Sequence, residues 1–347
     1  MTSLYQNKYL LAFSAGLLAV LGFAPFSLVP LSVLALTVLF VQWQQHAHGR
    51  WVAARLGFAF GFGLFSAGIG WLYVALHDYG GMPMPLAAPA IGLFAAVLAL
   101  FPAAVGYAHA RLRSLLGGHA RVSATVELLL LMPALWVLLE WVRGHIFTGF
   151  PWLALGYAQA AESPLAGYAP VLGVYGVSLT VALSAGLLAL LWLQRWNRSG
   201  KFAFAALLLL WGAGAALRAV EWTQAEGEPL KVALLQGNIA QDTKFEEGQL
   251  VGTLETYRRL LLQSDARLVV MPETALPLLR HELPENYAAQ LREHQRQRGG
   301  DVLIGAFERD KMLACQTAGM AYQDLVDFDP TLLAAILPAD ADGPNAP

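Results

Sequence analysis

Seven apolar runs separated by short breaks fill the first two-thirds of this chain, and they leave it few folds to choose from. They cover Tyr9–Ala24, Leu28–Trp43, Ala53–Leu76, Leu86–Ala108, Val126–Val142, Val171–Leu193 and Phe202–Leu217. A bilayer core takes about 20 apolar residues per helix, and tilt or local thinning accommodates shorter runs. Each run therefore reads as a membrane span. Charged residues make up only 13% of the chain and hydrophobic ones 57%, against about 25% and 45–50% in soluble domains. Mean hydropathy is +0.51. Pro25 and Pro30 bracket a tight break that makes the first two spans a hairpin. The run from Leu10 reads as an anchor that stays rather than a signal peptide.

Basic residues set the direction. Lys8 precedes the first span, Arg50 and Arg55 lie between the second and third, Arg111, Arg113 and Arg121 between the fourth and fifth, and Arg195, Arg198 and Lys201 between the sixth and seventh. The alternate loops at Ala24–Ser27 and His77–Pro85 carry no Lys or Arg, and Arg143–Pro170 carries only Arg143. Basic loops stay cytoplasmic. The amino end is therefore expected inside, and everything after Leu217 outside.

Two features stand out within the bundle. Gly57 and Gly61 form a small-xxx-small pair, extended by Gly63, Gly68 and Gly70. Such a strip serves close helix packing, with a lipid-substrate groove as the sharper alternative. Glu140 and Arg143 lie one helical turn apart at the outer end of the fifth span. A charged pair at that depth is a structural clamp or a functional site.

From Glu221 the composition becomes that of a soluble domain. Leu230–Gln236, Leu268–Met271 and Asp301–Phe307 read as buried strands, and Phe245–Gln263 and Tyr287–Arg298 as helices. Alternating strands and helices are the grammar of an α/β layer with a parallel sheet. Glu273 falls just past a strand's carboxyl end, where open α/β sheets place reactive groups. A solvated loop carboxylate is the plainer alternative. Gln236, Gly237 and Asn238 end the neighbouring strand and either line the same crevice or simply turn the chain. No His, Cys and carboxylate cluster suits a metal, the single Cys315 permits no internal disulfide, and no basic patch in the soluble part suits nucleic acid.

Long motifs in a fixed order carry a resemblance. They are Gly22-Phe23-Ala24-Pro25-Phe26, Gly70-Trp71-Leu72-Tyr73, His77-Asp78-Tyr79-Gly80-Gly81-Met82, Pro133-Ala134-Leu135-Trp136, Glu140-Trp141-Val142-Arg143-Gly144, Thr148-Gly149-Phe150-Pro151-Trp152 with Gly156-Tyr157, and Gly173-Val174-Tyr175-Gly176. Val232-Ala233-Leu234-Leu235-Gln236-Gly237-Asn238 and Pro272-Glu273-Thr274-Ala275 follow in the soluble part. Over residues 9 to 309 the chain resembles the apolipoprotein N-acyltransferases, bacterial inner-membrane enzymes with a periplasmic nitrilase-like domain.

The resemblance implies a multi-pass helical bundle over residues 1–220 and a partial αββα-type α/β domain over 221–310; past it, 311–347 reads from its composition as a divergent, disordered tail. It also implies acyl transfer from a membrane phospholipid to the diacylglyceryl cysteine of a lipoprotein acceptor, by a monomer needing no cofactor or metal. A Glu–Lys–Cys set does this chemistry through a thioester. Glu273 matches the base; Phe245, Gly149, Phe150 and Trp152 are candidate substrate contacts. The aromatic loop Gly144–Trp152 equally suits an interfacial anchor.

After Asp310 the family pattern stops. The segments bearing the catalytic lysine and the nucleophilic cysteine have no counterpart. Lys311 and Cys315 follow Glu273 in the family's order, but three residues separate them where the family places a whole segment. Phe245 stands where the family usually has a tryptophan. The expectation is a truncated, inactive copy, with a non-catalytic lipid- or lipoprotein-binding membrane protein as the alternative. A transporter fits less well, since the spans carry few charges and show no inverted repeat.

Overall fold

The computed structural model describes residues 2–46, 49–116, 123–160, 163–278 and 283–305, with side chains described outside 2–7, Glu247 and Glu285. Two compact units divide the chain at Gln224 and Ala225. Lys311, Cys315 and the expected tail lie outside the described residues.

The first unit is helical. Its helices are α1 (Thr2–Ala19), α2 (Pro30–His46), α3 (Arg50–Gly68), α4 (Met84–Leu116), α5 (Ala124–Arg143), α6 (Ala169–Gln194) and α7 (Arg198–Arg218). The last five are long and apolar enough to cross a membrane. The expected count of seven is thus met by five on length and composition. The first two predicted spans are helical but shorter: the apolar part of the first covers Lys8–Gly22, and α2 has 17 residues, about 25 Å at 1.5 Å per residue.

Small residues let the backbones meet. A Cβ on Gly57 would collide with the carbonyl of Pro102 in α4, and one on Gly63 with the carbonyl of Phe13 in α1. The glycine strip of α3 is therefore filled by helices on two sides, which is its packing reading. Leu36, Phe40, Trp43, Leu56 and Phe60 are wholly buried between the helices, and Phe60 meets Trp136 edge-on at 5.9 Å. The outer surface is apolar too: Leu93, Leu130 and Leu209 are each about two-thirds exposed or more. An apolar core with an apolar exterior suits lipid as solvent.

The second unit holds a sheet of three parallel strands, β1 (Val232–Leu234), β2 (Leu268–Val270) and β3 (Asp301–Leu303), in that spatial order. Ala233 pairs with Val269, and Val269 with Val302. These three share the face covered by α8 (Glu247–Gln263) and α9 (Glu285–Arg296), through Tyr257, Leu261, Tyr287 and Leu291. The predicted elements are found with shorter strands; Phe307 lies outside the described residues.

Candidate functional site

The carboxyl end of α5 organises the loop that follows it. Arg143 is buried, and its guanidinium donates to the carbonyl oxygens of Phe150 at 2.5 Å and Trp152 at 2.6 Å. Its charge also lies over the Phe65 ring at 5.1 Å, a favourable cation–π placement. Glu140, one turn earlier, accepts from the Trp136 indole at 2.9 Å and from the backbone N–H of Leu155 at 3.0 Å. The pair therefore clamps the chain on both sides of Trp152. A buried arginine needs several acceptors, and loop carbonyls are well placed to supply them.

The predicted loop contacts fall together here. Trp152 donates its indole N–H to the Gly68 carbonyl at 2.9 Å and packs on Trp71 at 5.3 Å. Phe150 meets Phe94 edge-on at 5.1 Å. Gly149 has φ +82° and sits against the Gly144 backbone, so only glycine fits the turn. Phe147, between them, is 91% exposed. The loop thus joins the ends of α3 and α5 and holds an aromatic ring out from the bundle.

In the second unit, the ladder continues one residue beyond the strands: Leu235 N–H donates to Val270 and Met271 N–H to Leu303. Past that edge the chain turns sharply. Asn238 has φ +51° and Thr274 φ +52°. Glu273 follows the central strand, with its side chain exposed. Lys244 donates to the Glu273 carbonyl oxygen at 3.3 Å and its ammonium lies 5.8 Å from the Phe245 ring. Glu273, Lys244 and Phe245 therefore share one edge of the sheet, with Phe245 60% exposed. Gly305, after β3, approaches the Glu273 backbone from the other side. Such an edge offers a carboxylate able to take a proton from a group brought to it.

One buried constellation went unread in the sequence. Glu127 accepts from Gln44 at 2.8 Å, lies 3.1 Å from His109 Nε2 and pairs with Arg113 at 3.3 Å. These residues come from α2, α4 and α5. Glu127 opens the π-helical stretch Glu127–Leu131, and the spacing of one Glu near an arginine-bearing loop carries no hint of partners so distant in sequence. Among the described residues no cluster of His, Cys, Asp and Glu could hold a metal.

Comparison with known proteins gives this arrangement its context. A family model for the apolipoprotein N-acyltransferase N-terminal domain matches residues 15–187. The chain is 46% identical over 303 residues to an apolipoprotein N-acyltransferase of Nitrosomonas europaea, covering 87% of this chain and 58% of that protein. It is 39% identical over 301 residues to the apolipoprotein N-acyltransferase of Methylococcus capsulatus, covering 86% and 58%. For that of Chromobacterium violaceum the identity is 41% over 295 residues, covering 85% and 55%. The chain spans a little over half the length of these curated relatives. With its apolar helical bundle and the matching motifs in order, the chain belongs to the apolipoprotein N-acyltransferase family.

Proposed function

We propose that this chain carries the membrane bundle and the proton-accepting edge of a phospholipid–apolipoprotein N-acyltransferase. The observation that carries the reading is Glu273, exposed at the carboxyl edge of the central parallel strand beside Lys244 and Phe245, in a chain of this family. In the reaction, Glu273 takes the proton of a thiol as its sulfur attacks the ester carbonyl of a phospholipid. The acyl group passes to sulfur, and Glu273 returns that proton to the departing lysophospholipid oxygen. The free α-amine of a diacylglyceryl lipoprotein then attacks the thioester, Glu273 accepts the amine proton and hands it to the departing thiolate, and the thiol is restored.

The second unit is read as part of a nitrilase-like αββα domain, its parallel sheet with helices on one face being compatible with one layer of it. All seven helices are read as spans of an inner-membrane monomer with its amino end inside, which puts Glu273 on the periplasmic side. Both substrates carry acyl chains, and moving each CH₂ into water costs about 0.8 kcal/mol. A site at the outer membrane surface, reached sideways from lipid, avoids that cost; Gly149, Phe150 and Trp152 are proposed as substrate contacts on the bundle itself.

The polypeptide of these 347 residues is itself proposed to be without turnover. Its one cysteine, Cys315, has only three residues between it and Lys311 in the sequence and has neighbours unlike those of the family's nucleophile. The test is acyl transfer from phospholipid to a diacylated lipopeptide by the reconstituted chain, read by mass spectrometry. No product above the protein-free control is expected. Turnover lost in both Cys315→Ala and Glu273→Gln would overturn the inactivity while upholding the base; turnover surviving Glu273→Gln would remove the base.

A further inference from the structure

At the end of the bundle away from the Arg143 loop, one face of α2 lines an open groove. Leu34, Val38, Val41, Gln42 and Gln45 lie on it at helical spacing, and the opposite wall is Leu188, Leu191 and Trp192 of α6. Lys8 and Leu11 of α1 complete it, with a cavity volume of about 1560 Å³. That exceeds the ~300–1,000 Å³ of small-molecule pockets. From Leu34 to His46 the groove follows about 18 Å of α2 at 1.5 Å per residue.

Its polarity is graded along that length. One end is aliphatic; the other gathers Lys8, His46 and Arg195 with the indoles of Trp192 and Trp196. Arg195 is exposed just after α6. Gln42, at the step between the two ends, is 97% buried, and both polar atoms of its amide are without a hydrogen-bond partner among the described residues. A buried amide left unpaired is costly, so its place on the groove wall points to a ligand with polar atoms at that depth. An aliphatic trough, an ester-depth amide and a basic, tryptophan-rimmed mouth match a two-chain lipid with an anionic headgroup.

We propose that this groove binds an anionic phospholipid from the leaflet at the basic end of the bundle, as a resident lipid rather than as acyl donor. The headgroup phosphate faces Lys8 and Arg195, the glycerol ester region faces the Gln42 amide, and the chains lie along α2 and α6. By the positive-inside rule this leaflet is the cytoplasmic one. The inference does not rest on the chain being active.

The full chain in phosphatidylethanolamine nanodiscs, with a trace of phosphatidylglycerol carrying a diazirine in one acyl chain, tests it. Photolabel is expected on peptides of α2 and α6, and diazirine-bearing phosphatidylethanolamine is expected to label them far less. Lys8→Gln and Arg195→Gln should each lower the phosphatidylglycerol label about fivefold, while Arg198→Gln, a nearby exposed arginine outside the groove, should leave it unchanged. Val38→Trp, which fills the aliphatic end, should displace the label while the bundle remains monodisperse. Equal labelling by the neutral lipid, an equal loss in Arg198→Gln, label confined to other helices, or cross-links between two copies of the chain at α2 would each overturn the proposal.

Discussion

The guanidinium of Arg143 donates to the carbonyl oxygen of Trp152 at 2.6 Å, tying a span's last turn to the far end of the loop that leaves it. Because the same group also holds Phe150, the loop's conformation depends on one planar, multi-donor side chain.

Replacing Arg143 with Lys should free the loop, since an ammonium is a compact point charge rather than a planar fork. Leaving these part-buried carbonyls unpaired costs up to about 1–3 kcal/mol. Hydrogen exchange of the amides in 144–152 is expected to speed up markedly while that of α3 and α4 is unchanged; equal protection in the variant would contradict the clamp.

Glu127 is the hub of a contact between three helices. Glu127→Ala leaves Gln44 and His109 without their shared acceptor and should lower thermal stability in detergent by about 1–3 kcal/mol. Glu127→Gln keeps an acceptor oxygen and should cost clearly less. A larger loss in the Gln variant than in the Ala variant would argue against this geometry.

Gly57 and Gly92 make a matched pair in the bundle. A Cβ on Gly57 meets the Pro102 backbone, whereas nothing lies near Gly92. Gly57→Ala is therefore expected to destabilise by about 1–3 kcal/mol, the usual cost of overpacking, and Gly92→Ala to be neutral or mildly stabilising in a helix. Thermal melts of the two variants side by side decide it.

Burial pushes the Tyr287 phenol up to about 12 from an ordinary value of 10.0. The folded state thus holds this proton more tightly than the unfolded one. Its contribution is fully present below about pH 10 and is lost as pH rises toward 12. Urea unfolding of the second unit should be flat in this respect to about pH 10 and weaken above it. Tyr287→Phe should remove that alkaline loss, at the expense of the hydrogen bond to Leu254.

The sidedness of Glu273 has a direct readout. In a Cys315→Ser background, Glu273→Cys should react with a membrane-impermeant maleimide added to intact spheroplasts. Protection there, with labelling only after lysis, would bring down the proposed periplasmic site.

The apolar runs determined the helical bundle by themselves, because lipid admits few other ways to satisfy a backbone and a run of apolar residues has nowhere else to go. The alternating strands and helices after Glu221 likewise announced a parallel sheet, and the strand-end position of Glu273 was legible from Leu268–Met271. What spacing could not supply was partnership at a distance. That Gln44, His109 and Arg113 meet at Glu127, that Arg143 reaches the carbonyls of its own following loop, and that Lys244 bonds the backbone of Glu273 all depend on how elements pack. Tertiary structure decided these because a hydrogen bond is made by atoms about 3 Å apart, whatever number of residues lies between them.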